Sequence, residues 1–288
     1  MRLFAPAKIN LHLRVGPPRG DGFHPILSWM CTVGLFDEIE IGRAGGAEIQ
    51  LTCDDATIPT DERNLIVRAA RAIQPPGEHG LRIHLTKRIP AGGGLAGGSS
   101  DAARTLIGLN HLWTLRKSTN ELAAIAARLG SDIAFFFFGP SSVCAGLGEI
   151  VRPISPPRPR WAVLIFPPFG MPTPAVYRRF DEMKLGRAAD IERQPDWVAL
   201  TQLPSVDLLP HLVNDLEAPA FDMNPALGKL RGEWEHRLCR IVRMSGSGST
   251  LFTLYDTKEE SDSAAAQHTG LRVVQLAPEF QDAATGPA

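Results

Sequence analysis

A glycine-rich stretch is the part of this sequence best suited to chemistry. It reads PAGGGLAGGSS, and five of its residues are glycine. The residues are Pro90, Ala91, Gly92, Gly93, Gly94, Leu95, Ala96, Gly97, Gly98, Ser99 and Ser100. Hydrophobic spacing predicts a strand before the stretch and a helix after it. Glycines let backbone N–H groups converge on an anion, and the start of a helix adds free N–H groups and a positive dipole end. The stretch therefore predicts a phosphate-binding loop, in which Ser99 or Ser100 caps the helix and a serine hydroxyl can reach a phosphate or Mg²⁺.

Other interpretations of this loop agree less well with its context. The loop lacks the Gly-Lys-Ser/Thr ending of the Walker loop, which excludes a P-loop fold. Gly92, Gly94 and Gly97 do match the Gly-x-Gly-x-x-Gly fingerprint of dinucleotide-binding folds. That fingerprint belongs to the first turn of a parallel sheet, with an acid at the end of the next strand about 20 residues on. Here mostly strand-like sequence comes first, and Glu121 stands at the start of a predicted helix. A plain surface turn is disfavoured because the glycines lie between a strand and a helix.

The N-terminal segment predicts a strand with a polar row on one face. Apolar residues alternate at Ile9, Leu11, Leu13 and Val15, as in a half-buried strand. The opposite face then carries Lys8, Asn10, His12 and Arg14. A lone lysine on a strand is usually solvated, but Lys8 lies between Pro6 and core-like residues, which favours a function. We interpret His12, like His84 in a later strand, as an exposed strand residue.

The remaining pattern predicts an α+β protein. In the first half it predicts strands over residues 38–41, 48–52 and 81–86 and helices over 64–73, 100–115 and 121–129, the last ended by Gly130. The proline-rich residues 153–159 form the strongest break in composition, which is either a stiff linker or an extended loop. We favour the linker, with domains at 1–155 and 156–288. In the second half the pattern predicts strands over 161–166, 240–244 and 250–255 and a helix over 173–183.

Composition excludes several classes of function. The chain has 288 residues, of which 44% are hydrophobic and 21% charged, and its net charge is -1. Such a balance provides no basic surface for nucleic acid and no polybasic membrane patch. The N-terminus lacks the apolar region of a signal peptide, and the four cysteines are too widely spaced for a zinc site or a disulfide framework. We expect a cytoplasmic protein with small-molecule partners, and the sequence leaves its oligomeric state open.

Three motifs together resemble the signatures of the GHMP kinases. The glycine-rich loop is similar to their second signature, which holds the phosphates of ATP. APAKINLHL, over residues 5–13, resembles the first, and MSGSGS, over residues 244–249, resembles the third. Further stretches are similar to the branch of the family that acts on a cytidylyl polyol: PAKINL, GDGFH, NLIVRAAR, GSDIAFF and PTP. The resemblance covers essentially residues 5–255.

The resemblance implies a catalytic pair and two cofactors. Lys8 and Asp132 match the family's catalytic residues, and ATP with Mg²⁺ is the expected phosphoryl donor. Asp132 would take the proton of the attacking hydroxyl, Lys8 would hold the developing charge, and Asn10 would orient the hydroxyl. From the residues alone, Asp132 could equally cap a short helix. Asp101 would repel nearby phosphates, so either contact with Mg²⁺ or an outward rotamer must be supposed.

The same resemblance implies a pocket for the cytidine base. Phe23 would stack on the base, His24 would hydrogen-bond to it, and Tyr177 would supply a second aromatic face with Thr173 beside it. The family often has Tyr where this chain has Phe23, so one hydroxyl contact is absent while the stacking surface remains.

By resemblance, the first domain is like the second domain of ribosomal protein S5 and the second domain is ferredoxin-like, with the active site in the cleft between them. Two alternatives stay open. One is a GHMP kinase for homoserine or mevalonate, and the other is a non-catalytic nucleotide-binding regulator.

Overall fold

The first half of the chain forms one six-stranded sheet. The computed structural model describes residues 1–280 and 282. The strands of this sheet are β1 (Arg2–Val15), β2 (Ile26–Ala44), β3 (Ile49–Cys53), β4 (Gly80–Thr86), β5 (Ser141–Gly146) and β6 (Ile150–Pro153). The strand order is β3-β4-β2-β5-β6, and β1 pairs with β2 in antiparallel orientation. β2 begins well before the strand predicted over residues 38–41, because its first half pairs with both β1 and β5.

β1 is buried on both faces, so the prediction of a half-buried strand was wrong. Lys8, Asn10 and His12 are each 4% exposed or less. The second half of the chain covers Asn10, whose N–H donates to Ser245 Oγ at 3.2 Å, while Lys8 Nζ donates to Gly94 O of the first half. His12 packs edge-on against Trp197 and is buried, contrary to the exposed position expected for it. His84 is exposed, as predicted.

Helices α1 (Leu65–Ile73), α2 (Gly97–Leu112) and α3 (Thr119–Ala127) lie in the same half of the chain. Apolar residues of α1 and α2 share a core with β2, β3 and β4, which fixes the start of α2 beside the sheet. Asn64 caps α1, its Oδ1 accepting from the N–H of Ile66 at 2.8 Å. Ser118 and Glu121 form a capping box at the start of α3.

Two predicted helix ends were wrong. α2 begins at Gly97, and its N-cap is Ala96 in the left-handed region, with no side-chain cap. Ser99 and Ser100 therefore lie within the first turn instead of capping it. Gly130 has an extended backbone with φ 177°, so it does not end α3 in the left-handed conformation expected of a glycine cap.

The second half of the chain forms a four-stranded antiparallel sheet with helices. Its strands are β7 (Trp161–Ile165), β8 (Arg243–Met244), β9 (Leu251–Tyr255) and β10 (Leu271–Gln275), in the order β10-β7-β9-β8. Its helices are α4 (Thr173–Glu182), α5 (Ala188–Glu192), α6 (Trp197–Gln202), α7 (Ser205–Leu208), α8 (Glu217–Met223), α9 (Pro225–Leu238) and α10 (Lys258–Ala266). The strand predicted over residues 240–244 is shorter than expected. No helix in the part of the chain that the structure describes could cross a membrane.

A shared hydrophobic core joins the two halves. Ile9 and Trp29 from the first half pack in one cluster with Leu164 and Phe252 from the second. The α+β class is confirmed. The division into domains 1–155 and 156–288 stays a prediction, and residues 281 and 283–288 of the second domain lie outside the described residues.

Candidate active site

The three glycine- and lysine-bearing motifs meet at one point. The backbone N–H of Lys8 donates to the carbonyl of Leu95 at 3.0 Å, which joins β1 to the glycine-rich loop. Lys8 Nζ donates to Gly94 O at 3.0 Å and to Asn10 Oδ1 at 2.6 Å. Ser245 Oγ, in the third motif, donates to the same Gly94 O at 2.9 Å. The loop is thus held from both sides before any ligand binds.

The glycine at position 94 is required by this close approach. Its φ is +76°, and a Cβ built on it would lie 2.1 Å from Ser245 O. Asn214 supports the opposite turn, because its Nδ2 donates to Met244 O at 2.7 Å and to Gly246 O at 2.8 Å. Asn214 was not predictable from the sequence, because no local pattern links it to a turn so far along the chain.

A cavity of about 430 Å³ lies over the loop. Every loop residue from Pro90 to Ser99 lines it, whereas Ser100 is fully buried and does not. Another part of its wall contains residues that were not assigned to a site from the sequence: Ile58, Pro59, Arg63, Asn64, Leu65 and Lys87. Part of that wall belongs to the NLIVRAAR stretch, whose resemblance to a kinase branch was the available signal. The cavity combines a cradle of backbone N–H groups with the apolar side chains of Ile58, Pro59 and Leu65, as a nucleotide requires.

Lys8 is buried at the edge of this cavity. Burial lowers the pKa of Lys8, and the negative charge of Asp132 opposes that effect. Both partners of Nζ are acceptors, namely a backbone carbonyl and an amide oxygen. The structure therefore presents Lys8 as a donor whose position is fixed relative to the loop.

Asp132 lies in the first turn of a short 3₁₀ helix, Ser131–Phe137. The N-cap of that helix is Gly130, and no side chain caps it. Among the described residues, no group donates a hydrogen bond to the Asp132 carboxylate, which lines the cavity instead. The capping role considered from the sequence therefore finds no support in the geometry, and the carboxylate is available to a ligand.

A second cavity, of about 950 Å³, adjoins the first. Phe23 and His24 line it, and Asp132, Thr173 and Tyr177 line both cavities. All the residues proposed for catalysis and substrate binding therefore surround one continuous space. Asp132 lies at the junction, between the loop on one side and the aromatic residues on the other.

The aromatic side of the second cavity has one exposed and two packed rings. Phe23 is 63% exposed, on the segment between β1 and β2. The His24 ring packs against Tyr177, with the ring centres 5.2 Å apart. Burial raises the pKa of Tyr177, and the charge of Asp132 adds to this rise. Thr173 Oγ1 lies 2.7 Å from Ser247 Oγ, which links α4 to the third motif.

Asp101 does not point outward, so one of the two possibilities considered for it was wrong. It is 3% exposed and its Oδ2 lies 3.3 Å from Lys87 Nζ, which also pairs with Asp37. Burial raises the pKa of Asp101 to about 8, although Lys87 opposes the rise. Its other oxygen, Oδ1, has no partner among the described residues. A direct contact between Asp101 and Mg²⁺ stays a prediction.

We expect Asp101→Asn to stabilise the protein increasingly as pH rises from about 4 to 8. The folded carboxyl keeps its proton up to a pKa of about 8. An unfolded aspartate releases its proton near pH 3.9, so between these values the folded state binds more protons and loses stability as pH rises. Asparagine has no such proton. Thermal unfolding of the wild type and the variant at pH 5 and pH 8.5 measures the effect. A stability gain of Asp101→Asn that is equal at the two pH values would contradict the prediction.

The described residues contain no group of three or more His, Cys, Asp or Glu side chains placed to hold a metal ion. Magnesium in phosphoryl-transfer sites is commonly held by one or two carboxylates together with substrate phosphates and water. The carboxylates of Asp101 and Asp132 and the hydroxyl of Ser99 are oxygen donors that line the cavity. The donor set therefore suits an ion carried mainly by the nucleotide.

Comparison with known proteins identifies the family. Residues 64–140 match the GHMP kinases N terminal domain. The chain is 39% identical over 279 residues to the 4-diphosphocytidyl-2-C-methyl-D-erythritol kinase of Nocardioides sp., covering 92% of each chain. It is 38% identical to the kinase of the same name from Bacillus subtilis, over 88% of each.

The chain belongs to the 4-diphosphocytidyl-2-C-methyl-D-erythritol kinase family of GHMP kinases. The whole architecture is similar to the crystal structure of a 4-(cytidine 5'-diphospho)-2C-methyl-D-erythritol kinase, with a TM-score of 0.78 and 33% sequence identity. The alignment covers 97% of this chain and 100% of that one. Membership of this kinase family confirms the resemblance seen in the motifs, including the two-domain fold it implies.

Proposed function

We propose that the chain transfers the γ-phosphoryl group of ATP to the 2-hydroxyl of 4-diphosphocytidyl-2-C-methyl-D-erythritol, a step of non-mevalonate isoprenoid precursor synthesis. The observation that carries the proposal is the position of Asp132, at the junction of the loop-lined cavity and the cavity with the aromatic residues. A carboxylate there lies between the donor phosphate and a polyol linked to a base. We propose the cytoplasm as its place of action, because it is a site of ATP production.

The chain's own groups then divide the work of phosphoryl transfer. Such a transfer needs positioning and charge stabilisation more than covalent help. Asp132 accepts the proton of the attacking hydroxyl, a role typically worth about 10²–10⁴-fold. Lys8 stabilises the charge on the transferred group, and Asn10, which accepts from Lys8 Nζ, orients the hydroxyl. The N–H groups of the loop and of the first turn of α2 hold the triphosphate.

We propose that Mg²⁺ accompanies ATP and would be held by Ser99 together with the phosphates, which leaves the Asp132 carboxylate free to act as the base. When bound, the ion neutralises charge on the β- and γ-phosphate oxygens. Lys8 Nζ donates to Gly94 O, so it would act on the phosphates from the β1 side of the loop.

Phe23→Ala tests the base pocket. We expect KM for the cytidylyl substrate to rise roughly tenfold to a hundredfold, because one stacked base contributes about 1–3 kcal/mol. Phe23 is largely exposed, so the variant should fold normally. KM for ATP should stay nearly unchanged, and Phe23→Tyr should have a mild effect. A selective rise in KM for ATP would show that the two pockets have been assigned in reverse.

The competing functions are separated by one assay. ADP release is measured with the cytidylyl polyol, homoserine and mevalonate in parallel. Homoserine and mevalonate offer no base to stack on Phe23 or Tyr177, so we expect activity with the cytidylyl polyol to dominate. A regulator that only binds nucleotide would release no ADP with any of them. An unpaired Asp132 carboxylate beside Lys8 argues against that alternative, since binding alone does not require a base.

A further inference from the structure

His24 is held by an acid that the sequence analysis did not single out. Its Nε2 lies 2.8 Å from Oδ1 of Asp181, on α4. The side chain of His24 is 4% exposed and that of Asp181 is 41% exposed. The ring also packs against Tyr177 and, edge-on with centres 5.8 Å apart, against Phe180. Packing on two sides and a hydrogen bond on the third leave the ring a single orientation.

Helix α4 creates this arrangement through its spacing. Tyr177, Phe180 and Asp181 stand at positions i, i+3 and i+4, which lie on one side of a helix. Val176 and Phe180 anchor that helix in the core, so the acid cannot move far from the ring. The segment before β2 supplies His24, and the pair thus joins the two halves of the chain beside the larger cavity.

The hydrogen bond determines which ring nitrogen carries the proton. An ionised carboxylate can only accept, so a neutral imidazole paired with it keeps its proton on Nε2. Nδ1 is then an acceptor. Among the described residues, His24 Nδ1 has no hydrogen-bond partner. The atom is also not fully enclosed by protein, unlike the buried polar atoms that lack a partner. It is therefore open to a ligand in the cavity that His24 lines.

We propose that Asp181 is a positioning residue that makes His24 Nδ1 an acceptor, so that the site selects a base that presents an amino group. This inference rests on the proposed function. Cytosine presents an exocyclic amine on the edge where uracil presents a carbonyl oxygen. An acceptor fixed at Nδ1 attracts the amine of cytosine and repels the carbonyl oxygen of uracil. Buried sites built to hydrogen-bond one substrate group discriminate strongly against an analogue that lacks that group.

The test compares cytidylyl and uridylyl forms of the same polyol substrate. In Asp181→Asn the amide can donate to Nε2, which lets Nδ1 carry the proton, and in Asp181→Ala nothing fixes it. The quantity compared is kcat/KM for the cytidylyl substrate divided by kcat/KM for the uridylyl substrate. We expect this ratio to fall about tenfold in both variants. Asp181→Glu, which keeps the carboxylate, should retain more of the ratio. Glu182→Gln is the matched control, because this neighbouring acid pairs with Arg179 and does not line the cavity.

A purely structural tether predicts a different outcome. If Asp181 only attached the segment to α4, both substrates would suffer equally and the ratio would not change, which would overturn the inference. Calorimetry with CDP and UDP makes the same comparison without turnover. A wild-type protein that is inactive on the cytidylyl polyol but prefers CDP in an Asp181-dependent manner would refute the proposed function alone. Equal binding of CDP and UDP by the wild type would refute the inference.

Discussion

Replacing Asp132 with Asn lowers kcat by about 10²-fold or more, because the amide keeps the shape of the side chain but cannot take a proton. The structure makes this substitution unusually clean. No described residue donates a hydrogen bond to the carboxylate, so the change breaks no contact that holds the 3₁₀ helix. The unfolding midpoint and the affinities for both substrates should therefore stay close to those of the wild type.

The measurement takes kcat and the unfolding midpoint from one preparation of Asp132→Asn. A residue that merely capped the helix would lose about 1 kcal/mol of stability and keep near-normal turnover. That pattern would end the catalytic assignment. Lowered kcat with an unchanged midpoint is the result we expect.

Lys8 is proposed to act in the same catalytic unit as Asp132, but its replacement is less specific. Lys8→Ala should cost a similar factor in kcat, and the double variant should be little worse than either single one, since residues acting together are not additive. Lys8 Nζ also holds Gly94 O, so the alanine variant loosens the loop and leaves a hole. Lys8→Met fills that space without the charge, and it separates loss of packing from loss of catalysis. Fully multiplicative losses in the double variant would show that Lys8 and Asp132 act independently.

Local patterns predicted the elements but not what covers them. Alternation in β1 correctly indicated a strand, yet the polar row at Lys8, Asn10 and His12 was taken for a partly solvated face. The second half of the chain buries that face, through contacts such as the one between Asn10 N–H and Ser245 Oγ at 3.2 Å. Period-two spacing reports only that the two faces differ. It cannot show that a distant turn covers the polar one.

The candidate site shows the same limit. The glycine-rich loop was predictable because its glycines, strand and helix are adjacent in sequence. The pairing of Lys87 with Asp37 and Asp101 was not, since it joins residues from β2, from the end of β4 and from α2. Asp181 likewise acquires its role only when α4 packs against the segment that carries His24. Charges that meet through tertiary contacts leave no spacing pattern in the sequence.

The second prediction with a large expected effect concerns ATP binding by the phosphate loop. It can be tested only at a glycine whose replacement leaves the fold intact. Gly94→Val should disrupt the fold itself, because its Cβ would lie 2.1 Å from Ser245 O. Gly97→Val is compromised as well, since its Cβ would lie 2.9 Å from Lys87 Nζ and 3.0 Å from the Ile89 side chain. Lost ATP binding in either variant would report unfolding or displaced neighbours as readily as a lost cradle.

Gly98→Val avoids that ambiguity and should lower ATP affinity by about a hundredfold while leaving the apoprotein as stable as the wild type. Gly98 lies in the first turn of α2 and lines the smaller cavity, and its nearest neighbour for an added Cβ is Leu65 Cδ1 at 3.8 Å. The added Cβ therefore meets no backbone, and valine costs a helix no more than glycine does. Its branches occupy the space where the phosphates must approach the free N–H groups. Gly232→Val in α9 is the control, because a Cβ there meets nothing within 4 Å and Gly232 lines neither cavity. Calorimetric titration with ATP and thermal unfolding without nucleotide give the two quantities. Wild-type ATP affinity in a folded Gly98→Val protein would show that the nucleotide binds elsewhere.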